Sequence, residues 1–340
     1  MILIASPRFD EHMTPPGHPE RPERAQVFDA VAAGWRDLGE RVDEPCAATR
    51  DELLRAHDVA YVDAIAAGRG RAAMLDPDTF TSPESYDVAL LAAGAAVQAA
   101  CHALDHGSPA LALVRPPGHH AEASRAMGFC LFNNVAVAAA GALARGVSRV
   151  AIVDVDVHHG NGTQGMFYDD PRVLYVSTHQ YPFYPGTGAA EDVGTGKGAG
   201  FTFNVPLEAG ASDGDFIRVH RDLILPVLEE WRPELLLISA GYDAHADDPL
   251  ASMRMTADGY GAILAGLVDV MGPRGAVACV TEGGYDLAAL RDCLHATVHV
   301  LNGAKRPTAP FAETSRGRTA IEHVLAAQRP YWRALQAGVR

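Results

Sequence analysis

The sequence predicts an α/β fold, a mostly parallel β-sheet covered by helices on both faces. Three observations carry this. Short apolar runs rich in β-branched residues alternate with helical segments over residues 111–301, the pattern of repeated strand–helix–strand units. The runs are apolar at consecutive positions, as in strands buried on both sides. Their polar residues follow directly at the strand ends, the edge where open parallel sheets bind ligands.

The elements follow in order. Residues 2–5 form a strand. Residues 7–24, rich in Pro, His and charge, form a long ordered loop. Pro22 suits a helix start, and 25–38 has helical periodicity. Residues 52–57 and 59–67 read as short helices, 75–83 as an exposed loop, and 85–106 as an alanine-rich helix stopped by Gly107. His102 and His106 stand four apart there. In the last turns imidazoles favour the helix dipole, and no third metal ligand is evident.

Strand 111–114 leads into Arg115-Pro-Pro-Gly-His-His-Ala121, and 133–144 is a helix. Strand 150–157 leads into His158-His-Gly-Asn-Gly-Thr-Gln-Gly165 and a short helix around Met166. Strand 173–177 leads into the loop ending at Gly188. An irregular Gly-rich loop, 194–200, precedes strand 201–205. Helix 215–231 is expected to kink near Pro226. Strand 235–239 leads to Asp243, 256–270 is a helix, and strand 276–281 leads into Glu282-Gly-Gly-Tyr285. Helices close the chain at 287–301 and 320–335.

Bulk composition narrows the function classes. The chain has 340 residues, 48% apolar, with 28 basic against 42 acidic residues and a net charge of −14. Such a charge disfavours nucleic acid and anionic membranes and mildly favours cationic substrates. The five cysteines form no CxxC pair, which points to a reducing compartment, the cytoplasm, rather than a disulfide framework. The first six residues are too short for a signal peptide, and no stretch is expected to span a membrane.

The chemistry centres on residues 149–161. Asp154, Asp156 and His158 follow an apolar run at period two, so they share a side of the strand. Two carboxylates on an apolar surface would cost roughly several kcal/mol each without compensation. A divalent metal of the zinc or iron type would supply it; the plainer alternative is a strand end whose polar groups reach water. Asp243, at another strand end, completes a ligand set that leaves positions open for water and substrate. His119 and His120 lie in a Pro-Gly turn, where one can act as general base and then acid. Asp154 and Asn161 are the polar groups nearby that can fix their tautomers; otherwise they are loop histidines in solvent. Tyr285, on a flexible-looking Gly-Gly tip, can donate to an oxyanion. Phe129 and Tyr184 are packing residues or the walls of an apolar channel. Gly160-x-Gly162-x-x-Gly165 is not read as a dinucleotide site, because the strand before it ends in two aspartates that would repel a pyrophosphate.

Six motifs, in order, resemble the zinc-dependent histone deacetylase and acetylpolyamine amidohydrolase superfamily. They are Arg115-Pro-Pro-Gly-His-His120, Gly128-Phe-Cys-Leu-Phe-Asn-Asn134, Asp154-Val-Asp-Val-His-His-Gly-Asn-Gly162, Tyr184-Pro-Gly-Thr-Gly188, Ser239-Ala-Gly-Tyr-Asp243 and Glu282-Gly-Gly-Tyr285. The resemblance runs from about residue 15 to about 302, so one catalytic domain with a C-terminal helical extension, 303–340, is expected. It implies an arginase-like three-layer α/β/α fold with an eight-stranded sheet, and hydrolysis of an acylated amine. It implies Zn2+ on Asp156, His158 and Asp243, His120 as general base and acid, His119 as its neighbour held by Asp154, and Tyr285 polarising the acyl carbonyl. Gly128, Phe129 and Tyr184 would line the acyl-lysine stem, Asp78 would grip the substrate at the rim, and Leu250 stands where polyamine-selective relatives can carry a glutamate. It also implies K+ beside Asp154, Asp156, His158, Ser177 and Thr178, and a second near Phe167, Asp170 and Val173. Asn161 replaces the aspartate of the class I branch, which points to a class II-like bacterial branch. The expected partner is an acylated lysine in a protein or peptide, or an acetylated polyamine; a homo-oligomer is compatible with the family. A non-catalytic acyl-ligand sensor on the same scaffold is the alternative of another class.

Overall fold

The fold comes from a computed structural model and is described for residues 1–273, 275–303 and 311–336. Its strands are β1 (Ile2–Ile4), β2 (Val42–Asp43), β3 (Ala73–Met74), β4 (Phe80–Thr81), β5 (Ala110–Ala112), β6 (Val150–Asp154), β7 (Val173–Gln180), β8 (Thr202–Leu207), β9 (Leu235–Ala240) and β10 (Ala276–Thr281). Eight form one sheet in the order β2-β1-β5-β10-β9-β6-β7-β8, every ladder parallel. The helices are α1 (Glu23–Asp37), α2 (Arg50–Leu53), α3 (Val59–Ala67), α4 (Ser85–His106), α5 (Asn134–Ala144), α6 (Asn161–Phe167), α7 (Asp213–Val219), α8 (Leu225–Trp231), α9 (Ala257–Met271), α10 (Leu287–Leu301) and α11 (Ser315–Gln328).

The consecutive apolar residues of β6 explain the three layers. Val150 and Ile152 pack with Ala96 of α4 and Val135 of α5. Ala151 and Val153 point the other way, among Phe216 of α7, Leu264 of α9 and Leu294 of α10. Each fully buried Val, Ile or Leu contributes about 1.5–3 kcal/mol, so helices cover both faces. At the sheet's far edge the chain re-enters β5, β6, β9 and β10 through turns at Gly107, Gly146, Arg232 and Gly272, all with positive φ.

Several expectations are corrected. Among the described helices, α4 is long and apolar enough to cross a membrane by length and composition, but 61% of its apolar window is buried. It approaches its neighbours so closely that a Cβ at Gly94 would collide with the backbone of Cys46 and Ala48. The loop 7–24 contains a 3-10 turn, Pro7–Glu11. The helix expected at 52–57 is α2, begun earlier by the capping box of Thr49 and Glu52. The 75–83 loop is only partly exposed: β4 closes a hairpin with β3, and Thr79 is fully buried. Strand β6 leaves the ladder at Asp154, not 157, yet Val155 and Val157 still pack in the layer of Val153. Strand β7 runs on to Gln180.

The kink expected at Pro226 takes the form of a π-helical turn, His220–Ile224, between α7 and α8; Pro226 has no N–H to continue an α-helical ladder. Helix α11 starts at Ser315 and ends at Gln328, before Pro330, and a separate 3-10 turn, Arg333–Leu335, replaces its expected last turns. Gln328 and Trp332 donate to the carbonyls of Thr202 and Gly200, which fastens this segment beside β8. Within the extension expected at 303–340, residues 304–310 and 337–340 lie outside the described residues.

Candidate active site

Four strand ends converge on one buried point. Strand β6 delivers Asp154 and then Asp156 and His158; Asp243 follows β9. The turn after β6 is fixed by its own acids: Asp154 Oδ1 accepts the Asp156 N–H at 3.2 Å, and Asp156 Oδ1 accepts the His158 N–H at 2.9 Å. Asp243 Oδ1 accepts the Val157 N–H at 2.8 Å, and Asp156 Oδ2 accepts the Gly283 N–H at 2.9 Å. Each acid keeps oxygen lone pairs for a further partner. His158 Nδ1 lies 3.2 Å from Asp156 Oδ1 and 3.0 Å from Asp243 Oδ2, and one ligand atom from each residue falls within 4.8 Å of the others. A Cβ at Gly241 or Gly283 would strike the Asp156 carboxylate, so both glycines serve close approach.

Electrostatics describe the same demand. Burial, with Asp156 adding, pushes Asp243 up to about 7. Against the lowering effect of burial, Asp243 and Asp156 push His158 up to about 10. His119 and His158 hold Asp156 below the usual carboxylate range, against burial. Two buried acids aimed by backbone N–H groups, with an imidazole whose ligand atom lies within 4.8 Å of theirs, fit a divalent ion with mixed N/O ligands, zinc included.

The tandem histidines sit beside this set. Gly118 and His119 donate backbone N–H groups to Glu282 Oε2 at 2.6 and 3.1 Å, which sets the turn. His119 Nδ1 is 3.0 Å from Asp154 Oδ2. Against burial, Asp156 and Asp154 raise its pKa well above the ordinary imidazole value. His120 Nδ1 is 2.8 Å from Asn161 Oδ1, and Asn161 Nδ2 donates to Glu122 Oε1 at 2.9 Å. Glu122 can only accept, so the Asn161 oxygen faces His120. The His120 proton then sits on Nδ1, leaving Nε2 as the basic nitrogen. Burial, His119 and His158 hold His120 well below the usual imidazole range.

Above these groups opens a cavity of about 190 Å³ lined by Asp78, His120, Gly128, Phe129, His158, Phe183, Tyr184, Leu250 and Tyr285. Phe129 has φ 68° and donates its N–H to Thr79 Oγ1 at 3.0 Å. A left-handed non-glycine residue costs about 1–2 kcal/mol; here that geometry belongs to a residue on the cavity wall. Gly128 also has positive φ, and a Cβ there would enter the His120 ring.

Residues 18–301 match the family profile of the histone deacetylase domain. The chain belongs to the histone deacetylase family. It is similar to a probable deacetylase of Archaeoglobus fulgidus, 41% identical over 291 residues that cover 84% of this chain and 81% of that protein. It is 42% identical to the Homo sapiens polyamine deacetylase HDAC10 over 264 residues, 75% of this chain and 39% of that protein. Among solved structures, the HD domain of HDA15 aligns with TM-score 0.93 at 36% identity, covering 98% of this chain and 96% of that one. The chain spans about half the length of several longer histone deacetylases that it matches. Family membership supports deacetylase activity, a hydrolase reaction.

Within this histone deacetylase fold, every residue assigned to the metal, the acid–base pair and the channel lies in or beside the cavity. One expectation fails: Tyr285 is not on a flexible tip. It is 7% exposed, with Phe129 edge-on at 5.8 Å and the Arg24 guanidinium 5.0 Å from its ring centroid. Burial keeps its hydroxyl protonated, well above the ordinary phenol value. At the mouth, Tyr184 is 38% exposed. Asp78 accepts from Thr79 Oγ1 at 3.0 Å, and burial plus Asp76 raises its pKa.

The residues named for monovalent cations make contacts within the protein. Ser177 Oγ is 2.9 Å from His179 Nδ1, and Thr178 Oγ1 is 3.5 Å from the Asp154 carbonyl. Asp170 donates its N–H to Phe167 and accepts that of Val173 at its carbonyl, while its carboxylate pairs with Arg172 at 2.6 Å.

Sequence reasoning missed four contributors. Phe183 stacks on His158, centroids 5.3 Å apart at 18°. Glu282 sits on the backbone of the histidine turn and accepts from Ser239 Oγ at 3.0 Å. Arg24 donates to the carbonyls of Gly284 and Glu282, and is itself held by Glu20, which Arg115 grips at both oxygens. Asp248 tethers Tyr285. Only Glu282 left a signal, a carboxylate at the end of an apolar strand.

Proposed function

We propose that the chain is a zinc-dependent amidohydrolase that removes an acetyl or other short acyl group from an acylated amine, with acyl-lysine in a protein or peptide as the substrate. The observation that carries this is the Asp156–His158–Asp243 cluster at the base of a narrow apolar cavity, with an imidazole base and a phenol donor beside it. A zinc ion on those three residues would supply Lewis acidity, polarising the acyl carbonyl and acidifying water. His120 Nε2 takes the water proton. The Tyr285 hydroxyl donates to the oxyanion as the carbonyl carbon becomes tetrahedral. His120, now charged, gives its proton to the leaving amine. Phe129, Phe183 and Tyr184 exclude water and line the alkyl stem, and Asp78 meets the substrate at the mouth. A structural potassium ion beside Asp154 and Ser177, a second near Phe167 and Asp170, and a cytoplasmic setting for the five free cysteines belong to the same reading.

The uncharged Leu250 wall favours a lysine stem. A second reading, acetylpolyamine hydrolysis, draws on the acids Asp76 and Asp78 at the mouth and on the likeness to a polyamine deacetylase. Parallel assays of acetyllysine peptides, acetylputrescine and acetylspermidine test both. Higher kcat/KM on the peptides is expected. Preference for the polyamines by about tenfold, 1.4 kcal/mol, would transfer the assignment. Zinc binding without turnover of any acyl amine would leave a ligand sensor.

The neutral partner of His120 has a pH consequence. The base works unprotonated, so its depressed pKa keeps it available below the ordinary imidazole range. Asn161→Asp puts a carboxylate beside the Nδ1–H and raises the His120 pKa. The acid limb of kcat/KM against pH is expected to move upward by about one to three units; an unmoved limb would take His120 out of the base role.

A further inference from the structure

The loop after β9 and the loop after β10 each supply one cavity residue, Leu250 and Tyr285. One side chain joins them. Asp248 is 6% exposed. Its Oδ1 accepts the Leu250 N–H at 3.0 Å; its Oδ2 accepts the Tyr285 N–H at 2.6 Å and the Asp286 N–H at 3.3 Å. The adjacent acid, Asp247, keeps its side chain 75% exposed, so burial is specific to Asp248. Burying a carboxylate is costly unless its oxygens are satisfied, and here backbone amides of both loops satisfy them. Tyr285 follows Gly283 and Gly284, the latter at φ 119°, so its own chain gives it little restraint. Its amide is held by Asp248, and the carbonyl before it by Arg24.

We propose that Asp248 is a positioning residue that sets the Tyr285 hydroxyl at a fixed distance from the Leu250 wall, so that the wall contacting the substrate stem and the oxyanion donor move as one unit. The assignment rests on the amidohydrolase reading above. An oxyanion donor must lie within about 2.7–3.1 Å of the oxygen it stabilises, and a misplacement of about 1 Å can cost 10²-fold. A tether on the tyrosine's own amide is therefore a direct way to hold the rate.

The test uses Asp248→Ala and Asp248→Asn, each alone and combined with Tyr285→Phe, in the full zinc-loaded protein. Measured are kcat, KM, zinc content, melting temperature, and amide hydrogen exchange of segments 248–252 and 283–287. Asp248→Ala is expected to lower kcat by about 10- to 100-fold, well beyond any rise in KM from the loosened Leu250 wall, while zinc content stays full. Asp248→Asn should fall between, because one amide oxygen can serve only one of the two loops. In the Tyr285→Phe background the further loss from Asp248→Ala should be small, since both act through one hydroxyl. Exchange at Tyr285 and Leu250 should rise together. Additive kinetic losses, or unchanged protection at Tyr285, overturn the proposal. If the native protein hydrolyses no acyl amine, the amidohydrolase reading fails on its own, and the exchange experiment still decides whether Asp248 joins the two loops.

Discussion

Asp243→Ala is expected to abolish stoichiometric zinc binding and to lower kcat/KM by a factor on the order of 10³ or more, beyond the 10–100-fold typical of losing an outer partner of a metal ligand. Asp243 would supply one of three ligands, and it also fixes the turn by accepting the Val157 amide at 2.8 Å. Atomic absorption on protein refolded with excess zinc measures the first effect. Melting temperature with and without chelator adds an independent reading. If zinc fills the native site, its binding stabilises the folded state, so chelation should lower the melting temperature. In Asp243→Ala, expected to hold no stoichiometric zinc, the chelator should have little effect. A full zinc complement in the variant would remove Asp243 from the ligand set.

Tyr285→Phe is expected to keep zinc and bind a hydroxamate normally while losing about 10²–10³ in kcat, the range for deleting one oxyanion donor. The substitution removes only the hydroxyl. The ring remains packed between Phe129 and Arg24, and the amide remains on Asp248. KM should therefore change little, because the donor acts on charge that appears only in the transition state. Unchanged kcat would end the oxyanion role for this side chain.

The layered fold was legible because consecutive apolar residues in β6 admit burial on both sides, and the loops carrying the chemistry all leave strand carboxyl ends. Asp154, Asp156 and His158 were legible for a related reason: alternation of sides continues past the last ladder residue, Asp154, with Val155 and Val157 still directed into the core. The missed residues share a different property. Asp248 and Arg24 act on backbone atoms 37 and 260 positions away, and backbone partners leave no trace in residue type. Tyr285 was misjudged for the same reason, since two preceding glycines suggest freedom that Asp248 and Arg24 remove. The end of α11 was overrun because its apolar periodicity continues past Pro330, which stops the helix there.

The re-entry turns at Gly107, Gly146, Arg232 and Gly272 lie at the edge opposite the cavity, and Gly146 and Arg232 are exposed. Exposed turn tips tolerate insertions best. A fluorescent label, a purification handle or a covalent link to a bead placed at residue 146 would leave the substrate entrance facing outward. Immobilised in that orientation, the protein would present its cavity to solution, so candidate acyl amines can be compared on it directly.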